Sequence, residues 1–142
     1  MTALNPVRKV GSQFAESLVK RMNMSKDEAA KRTLELLALV NMPEPEKAVQ
    51  KYPHQLSGGM RQRVMIAIAM ACGPTALFAD EPTTALDVTV QAQILDLLGE
   101  QRRERNMSLV LVTHDLELAK KCGRILRLRN GAVVSDETLA AS

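Results

Sequence analysis

Residues 56–87, LSGGMRQRVMIAIAMACGPTALFADEPTTALD, decide the fold of this 142-residue chain. A serine and two glycines at 57–59 precede a long apolar run, which predicts a helix with free backbone N–H groups in its first turn, an arrangement that binds anions. The apolar run 76–79 predicts a buried strand that ends at Asp80 and Glu81. The stretch therefore predicts an anion-binding helix end and a pair of carboxylates suited to metal and proton chemistry.

The composition indicates one soluble globular domain with a sizeable core, since 46% of the residues are hydrophobic. The longest uninterrupted apolar run, 64–72, is far shorter than the roughly 20 residues of a membrane-spanning helix. No signal-peptide pattern opens the chain, so we expect any membrane association to depend on a partner. The net charge of +3 is too mild to indicate nucleic acid, and no nucleic-acid partner is expected.

Two helices are predicted before the quoted stretch. Val10, Phe14 and Leu18 lie at helical spacing. Ser25 and Glu28 have the spacing of a capping box at the start of a second helix, which two prolines end. The first part of the chain is therefore predicted to be helical.

The residues after the quoted stretch predict an α/β arrangement. A helix at 88–106 is followed by a second apolar strand at 109–112. If the strands are parallel, the second brings His114 to the sheet edge where the first ends in its two carboxylates. The Asn-Gly pair at 130–131 predicts a hairpin that closes the sheet.

These motifs together resemble those of the ATP-binding-cassette (ABC) ATPases, most closely the ATP-binding subunits of oligopeptide and dipeptide importers. Residues 56–62 resemble the family signature, 76–80 the Walker B strand and 85–87 the D-loop, while Glu81 and His114 match the catalytic glutamate and the switch histidine. Each match alone is weak, but all of them occur in the family's order and spacing.

The resemblance implies ATP and Mg²⁺ as cofactors and assigns roles to individual residues. Asp80 is the expected Mg²⁺ partner, Glu81 would orient or deprotonate the attacking water, and His114 would bind the γ-phosphate or that water. Strand alternation predicts that Asp80 and Glu81 point to opposite sides. The residues expected to contact the nucleotide are Leu56, Ser57, Gly58, Gly59, Gln62 and Asp87.

The implied fold is the C-terminal part of a P-loop NTPase (RecA-like) ABC cassette, an α/β structure with a mainly parallel sheet. Residues 1–72 would form the helical subdomain, including the signature helix, and residues 73–142 the C-terminal part of the ATPase core. The implied partners are the transmembrane subunits of a transporter and a second ABC ATPase subunit in a head-to-tail dimer. Such a protein is cytoplasmic and peripheral on the inner face of the cell membrane.

The sequence departs from the family pattern in two ways. It contains no GxxxxGK(S/T) loop, so we expect a truncated cassette that is inactive by itself. The segment 117–134 looks more like the lipoprotein-export branch of the superfamily, which leaves the transported molecule open.

Two other functions stay open at this point. One is a non-catalytic interaction module that retains the docking surface and contributes only residues 57–59 to a partner's site. The other is a soluble cassette protein that acts on DNA or ribosomes. The resemblance of the helical segment to the peptide-importer subdomain favours transport over this third possibility.

Overall fold

A computed structural model describes residues 4–139 of the chain. In chain order the helices and strands are α1 (Val10–Met22), α2 (Lys26–Leu39), α3 (Pro45–Ala48), a 3-10 turn (Pro53–Gln55), α4 (Gly58–Met70), β1 (Ala76–Asp80), α5 (Val88–Glu104), β2 (Ser108–Val112), α6 (Leu116–Ala119), β3 (Arg124–Arg129) and β4 (Ala132–Thr138). Within the described part of the chain, no helix is both long and apolar enough to cross a membrane.

The predicted capping box forms at the start of α2. The Glu28 backbone N–H donates to Ser25 Oγ at 3.3 Å, and the Ser25 N–H donates to Glu28 Oε2 at 2.8 Å. Two of the N–H groups that a helix start leaves unpaired are thereby satisfied, which fixes where α2 begins. The helix ends at Leu39, before both prolines, and Pro45 then starts the short helix α3.

A single hydrophobic core runs through the helical part and the sheet. Val10, Phe14 and Leu18 of α1 are fully buried in it, as the helical spacing predicted. The same cluster continues to Leu77 on β1 and to Met107, just before β2. The segments on either side of the predicted boundary at residue 72 thus pack together, and the division into two subdomains stays a prediction.

Helix α4 is apolar over most of its length but only partly buried. Its fully buried residues are Val64, Ile66, Ala67 and Met70, whereas Met65 and Ile68 are only half-buried.

Two arginines in the first turns of α4 donate hydrogen bonds to backbone carbonyls of neighbouring loops. Arg61 Nη1 donates to the Leu56 oxygen at 3.0 Å, and Arg63 Nη1 donates to the Val40 oxygen at 2.6 Å.

Strands β1 and β2 pair in parallel, which confirms the predicted strand direction. Their register runs from Ala76 opposite Ser108 to Asp80 opposite Val112. Only one face of this pair is covered, so the prediction of fully buried strands is wrong for the described residues. Leu77 and Ala79 are buried, but Phe78 is 65% exposed, since the helices of the described chain cover the opposite face.

The C-terminal hairpin forms where the Asn-Gly pair predicted it. Asn130 and Gly131 have φ values of 50° and 78°, the left-handed conformations that a tight two-residue turn requires. Strands β3 and β4 form a separate antiparallel sheet, however, so the prediction that the hairpin closes the parallel sheet is wrong for residues 4–139. Arg124 stabilises the hairpin through two hydrogen bonds to the Asp136 carboxylate, at 2.8 and 2.6 Å.

Candidate functional site

The carboxyl ends of β1 and β2 bring Glu81 and His114 together. The Glu81 N–H donates to the Val112 oxygen at 2.8 Å, which continues the strand pairing one residue past Asp80. His114 Nδ1 lies 2.7 Å from Glu81 Oε1, and the His114 backbone N–H donates to the same oxygen at 3.1 Å. Two residues 33 positions apart in the sequence are therefore in direct contact, as the parallel pairing predicted.

The backbone changes direction at Glu81. Its φ of 46° is left-handed, a conformation that a residue with a β-carbon adopts rarely and only with support from its surroundings. Because Glu81 lies beyond the end of β1, strand alternation does not set the angle between its side chain and that of Asp80. That these two carboxylates point to opposite sides therefore stays a prediction.

The contact between Glu81 and His114 shifts both pKa values. The hydrogen bond from His114, followed by one from Thr84, lowers the pKa of Glu81 below its ordinary value of 4.5. The hydrogen bond to Glu81 and the charge of that carboxylate raise the pKa of His114 above 6.5. At neutral pH Glu81 is therefore an ionised carboxylate that can accept hydrogen bonds but not donate them.

Asp80 offers an oxygen ligand at the same edge of the sheet. It is the last residue of β1 and is exposed, and its carboxylate makes no hydrogen bond or ion pair with any residue from 4 to 139. The described residues contain no cluster of three or more side chains that could hold a metal ion. A single exposed carboxylate fits Mg²⁺ only where phosphate and water oxygens complete the coordination, which is how Mg²⁺ commonly binds beside a nucleotide.

The N-terminus of α4 has the features expected of an anion site. Ser57 is exposed and caps the helix, since its Oγ accepts a hydrogen bond from the Met60 N–H at 3.2 Å. The N–H groups of Gly58 and Gly59 have no acceptor among the described residues. Both groups are free to bind an anion from outside the described chain.

The two glycines also allow the start of α4 to pack closely on the loop before α5 and on α5 itself. A β-carbon at Gly58 would lie 3.2 Å from Leu86 Cδ2, and one at Gly59 only 2.7 Å from Val90 Cγ1. The second contact is too close for any other residue without displacement of the valine. At Gly58 a small shift of the Leu86 side chain would make room, so packing favours glycine more strongly at Gly59 than at Gly58.

The other predicted nucleotide contacts have different surroundings. Leu56 is buried in the core, with 4% of its surface exposed, and Gln62 is half-buried. Asp87 caps α5 by accepting a hydrogen bond from the Val90 N–H at 3.0 Å. No hydrogen bond joins residues 57–59 to Glu81 or His114 within residues 4–139.

Two residues that the sequence reasoning missed hold the loop between β1 and α5. Thr84 Oγ1 donates to Glu81 Oε2 at 2.9 Å. Gln91 Nε2 donates to the backbone oxygens of Thr83 and Leu86, at 3.2 and 3.3 Å. Thr84 lies three residues after Glu81, and Gln91 lies one turn into the predicted helix. A polar side chain at either position can reach the backbone of a preceding turn, which is the signal that could have identified them as candidates.

The family model for the ABC transporter matches residues 3–84, more than half of the chain. The chain belongs to the ABC transporter family. The match contains the α4 N-terminus and the Asp80–Glu81 pair, and His114 lies beyond it.

Curated relatives extend the likeness over almost the whole chain. The dipeptide transport ATP-binding protein DppD of Haemophilus influenzae is 54% identical over 97% of this chain. The oligopeptide transport ATP-binding protein OppD of Escherichia coli is 53% identical over 92% of it. These matches cover 42% and 39% of the two relatives, so the chain spans about two fifths of their length.

Solved ABC cassettes share the fold. The dimeric structure of a post-hydrolysis state of the ATP-binding cassette MJ0796, bound to ADP and Pi, has a TM-score of 0.83 and 36% sequence identity. It matches 98% of this chain, which covers 60% of that cassette. The dimeric structure of MJ0796, a bacterial ABC transporter cassette, gives a TM-score of 0.82. The predicted α/β fold of an ABC cassette is thus confirmed.

Proposed function

We propose that this chain is part of the ATP-hydrolysing subunit of a peptide importer. The observation that carries the proposal is the direct contact of Glu81 with His114 at the carboxyl ends of two parallel strands. The names of the relatives, dipeptide and oligopeptide transport ATP-binding proteins, support ATP as the cofactor and peptides as the cargo.

Glu81 is the residue that we expect to orient and deprotonate the attacking water. A carboxylate has about four positions at which it can accept a hydrogen bond. His114 supplies two donors to Oε1, and Thr84 supplies one to Oε2. One position on Oε2 is left for water, and the lowered pKa keeps the carboxylate ionised.

His114 orients Glu81 and has a second nitrogen for the substrate. Its Nδ1 and backbone N–H are both engaged by Glu81, whereas Nε2 has no partner among the described residues. With 85% of its side chain exposed, His114 can use Nε2 to accept a hydrogen bond from the attacking water when the ring is neutral, or to donate one to a phosphate oxygen when the ring is protonated.

Asp80 would hold Mg²⁺ together with phosphate and water oxygens. Bound MgATP supplies the phosphoryl group, and the metal offsets the negative charge of the phosphates. The role of Asp80 is to present a carboxylate oxygen at the edge of the sheet that also bears Glu81.

We assign the α4 N-terminus to a nucleotide held by a second ATPase subunit. In this arrangement Leu56, Ser57, Gly58, Gly59, Gln62 and Asp87 belong to a head-to-tail dimer interface. The N–H groups of both glycines, which have no acceptor among residues 4–139, support this proposal. The structures that this chain resembles are themselves dimeric cassettes.

The remaining partners would be transmembrane subunits that carry the peptide, with this protein on the inner face of the membrane. A chimera tests the transport function. In it, this chain replaces the matched residues of H. influenzae DppD, and the chimera is expressed in a strain without that protein. We expect uptake of a labelled dipeptide to be restored by the chimera and by its Glu100→Gln variant, which changes an exposed carboxylate on α5.

Glu81→Gln should abolish that uptake although the chimera is present at the same level. If the unsubstituted chimera is present but restores no uptake, the transport proposal is wrong and a non-catalytic interaction module becomes the better interpretation.

A further inference from the structure

The Glu81 carboxylate is held at both of its oxygens. His114 holds Oε1, and the Thr84 hydroxyl donates to Oε2 at 2.9 Å. The Thr84 backbone N–H also donates to the Glu81 oxygen at 3.2 Å, so the turn closes through main chain and side chain alike. Rotation of the carboxylate therefore breaks at least one hydrogen bond.

Gln91 holds the loop that carries Thr84. Its side-chain amide donates to the oxygens of Thr83 and Leu86, which lie on either side of Thr84 and Ala85. Ala85 has a φ of 63°, a left-handed conformation that needs support from neighbouring groups in a residue with a β-carbon. Gln91 is half-buried on the first turns of α5, a regular helix, and so ties this strained loop to a rigid element.

We propose that Thr84 and Gln91 are positioning residues for Glu81: Thr84 fixes the carboxylate directly, and Gln91 fixes Thr84 by anchoring the loop to α5. The effect of Thr84 and Gln91 on ATP hydrolysis rests on the proposed function. The claim that these two residues hold the Glu81 carboxylate concerns only hydrogen bonds within the chain, so it can be tested without nucleotide.

Matched substitutions separate the hydrogen bonds from general effects on stability. Thr84→Val removes the hydroxyl and keeps the shape, whereas Thr84→Ser keeps the hydroxyl. Gln91→Glu keeps the size but removes both N–H donors, since an ionised carboxylate only accepts hydrogen bonds. Gln93→Glu makes the same change two residues along α5, at an exposed side chain that accepts from Arg63.

The direct readout is hydrogen exchange of the His114 backbone amide in the 142-residue chain, measured by NMR. This amide donates to Glu81 Oε1, so its protection reports how firmly the carboxylate is held. Thr84→Val and Gln91→Glu should speed its exchange by about 2- to 10-fold, the range expected for loss of one hydrogen bond. Thr84→Ser and Gln93→Glu should leave the exchange unchanged.

The proposal is overturned if Thr84→Val and Gln91→Glu leave the His114 amide unaffected, or if Thr84→Ser speeds its exchange as much as Thr84→Val does.

The second readout is ATP hydrolysis by the DppD chimera. If Thr84 positions Glu81, Thr84→Val should lower kcat while KM for MgATP stays constant. Thr84→Ser, which keeps the hydroxyl, should retain the kcat of the unsubstituted chimera. An equal kcat for the unsubstituted chimera and Thr84→Val would overturn the positioning role. A chimera without any ATPase activity would contradict the proposed function, and the exchange experiment would still decide whether Thr84 and Gln91 hold Glu81.

Discussion

His114 binds one oxygen of Glu81 twice, through Nδ1 at 2.7 Å and through its backbone N–H at 3.1 Å. The double contact ties the residue after β1 to the segment after β2. Because the backbone contact does not depend on the charge of the imidazole, the two residues stay connected when His114 is neutral. A positive charge on the imidazole strengthens the attraction to the Glu81 carboxylate, and this additional contribution depends on pH.

The first prediction concerns the pKa of His114. Glu81→Gln removes the carboxylate that raises this pKa, so the pKa should fall toward its ordinary value of 6.5. NMR titration of the imidazole in the 142-residue chain measures the change. Asp115→Asn is the control, since Asp115 contributes a smaller, purely electrostatic effect and asparagine still caps α6. A larger fall with Asp115→Asn than with Glu81→Gln would contradict the assignment.

The shifted pKa values of Glu81 and His114 also determine how the contribution of this pair to folding stability varies with pH. The contribution of His114, whose pKa is raised, is fully present below 6.5 and is lost as pH rises through the raised value. The contribution of Glu81, whose pKa is lowered, is present above 4.5 and is lost as pH falls through the lowered value. The stability difference between the wild-type chain and Glu81→Gln should therefore be largest between pH 4.5 and 6.5.

Sequence reasoning predicted the features that depend on local chemistry or on a repeated spacing. The capping box of Ser25, the turn at Asn130 and the parallel strands that bring His114 to Glu81 all follow from such rules. The burial of β1 could not be predicted in this way. Phe78 reads as a core residue, but its exposure depends on which other elements cover that face of the sheet.

The parts of the site that the sequence did not reveal depend on loop conformation. Glu81 adopts a left-handed backbone, and spacing alone does not predict this in a residue other than glycine. The contacts of Thr84 and Gln91 follow from that conformation, because both side chains bind groups in the turn that it creates. These hydrogen bonds could therefore not be predicted from the spacing of the residues.

A further prediction concerns packing at the start of α4. Gly59→Ala places a β-carbon within 2.7 Å of Val90 Cγ1, and a β-branched valine has few alternative rotamers. The substitution should lower the free energy of unfolding by about 1–3 kcal/mol, as overpacking does, although alanine favours helix. Urea unfolding of the 142-residue chain measures it.

Val90→Ala provides the matched test of this clash. In a Val90→Ala background the added methyl group has room, so Gly59→Ala should cost much less there than in the wild-type chain. An equal cost in both backgrounds would show that the contact with Val90 is not the cause.

Another prediction concerns the proposed dimer. Ser57→Arg in the DppD chimera puts a bulky cation beside the free N–H groups of α4. It should leave MgATP binding to the single subunit unchanged but prevent formation of the nucleotide-dependent dimer, measured by analytical ultracentrifugation with a non-hydrolysable ATP analogue. Ala92→Arg, which adds the same charge at an exposed position on α5, is the control. Normal dimer formation by Ser57→Arg would show that this helix end does not meet a partner's nucleotide.

Steady-state hydrolysis of MgATP by the DppD chimera, with and without Glu81→Gln, tests the proposed role of Glu81 most directly. The amide keeps the shape of the side chain but cannot take a proton from water, so hydrolysis should fall by roughly 10²- to 10⁴-fold. Equilibrium binding of MgATP should stay the same. If the Glu81→Gln chimera hydrolyses MgATP as fast as the unsubstituted chimera, Glu81 is not the base and the proposed mechanism is wrong.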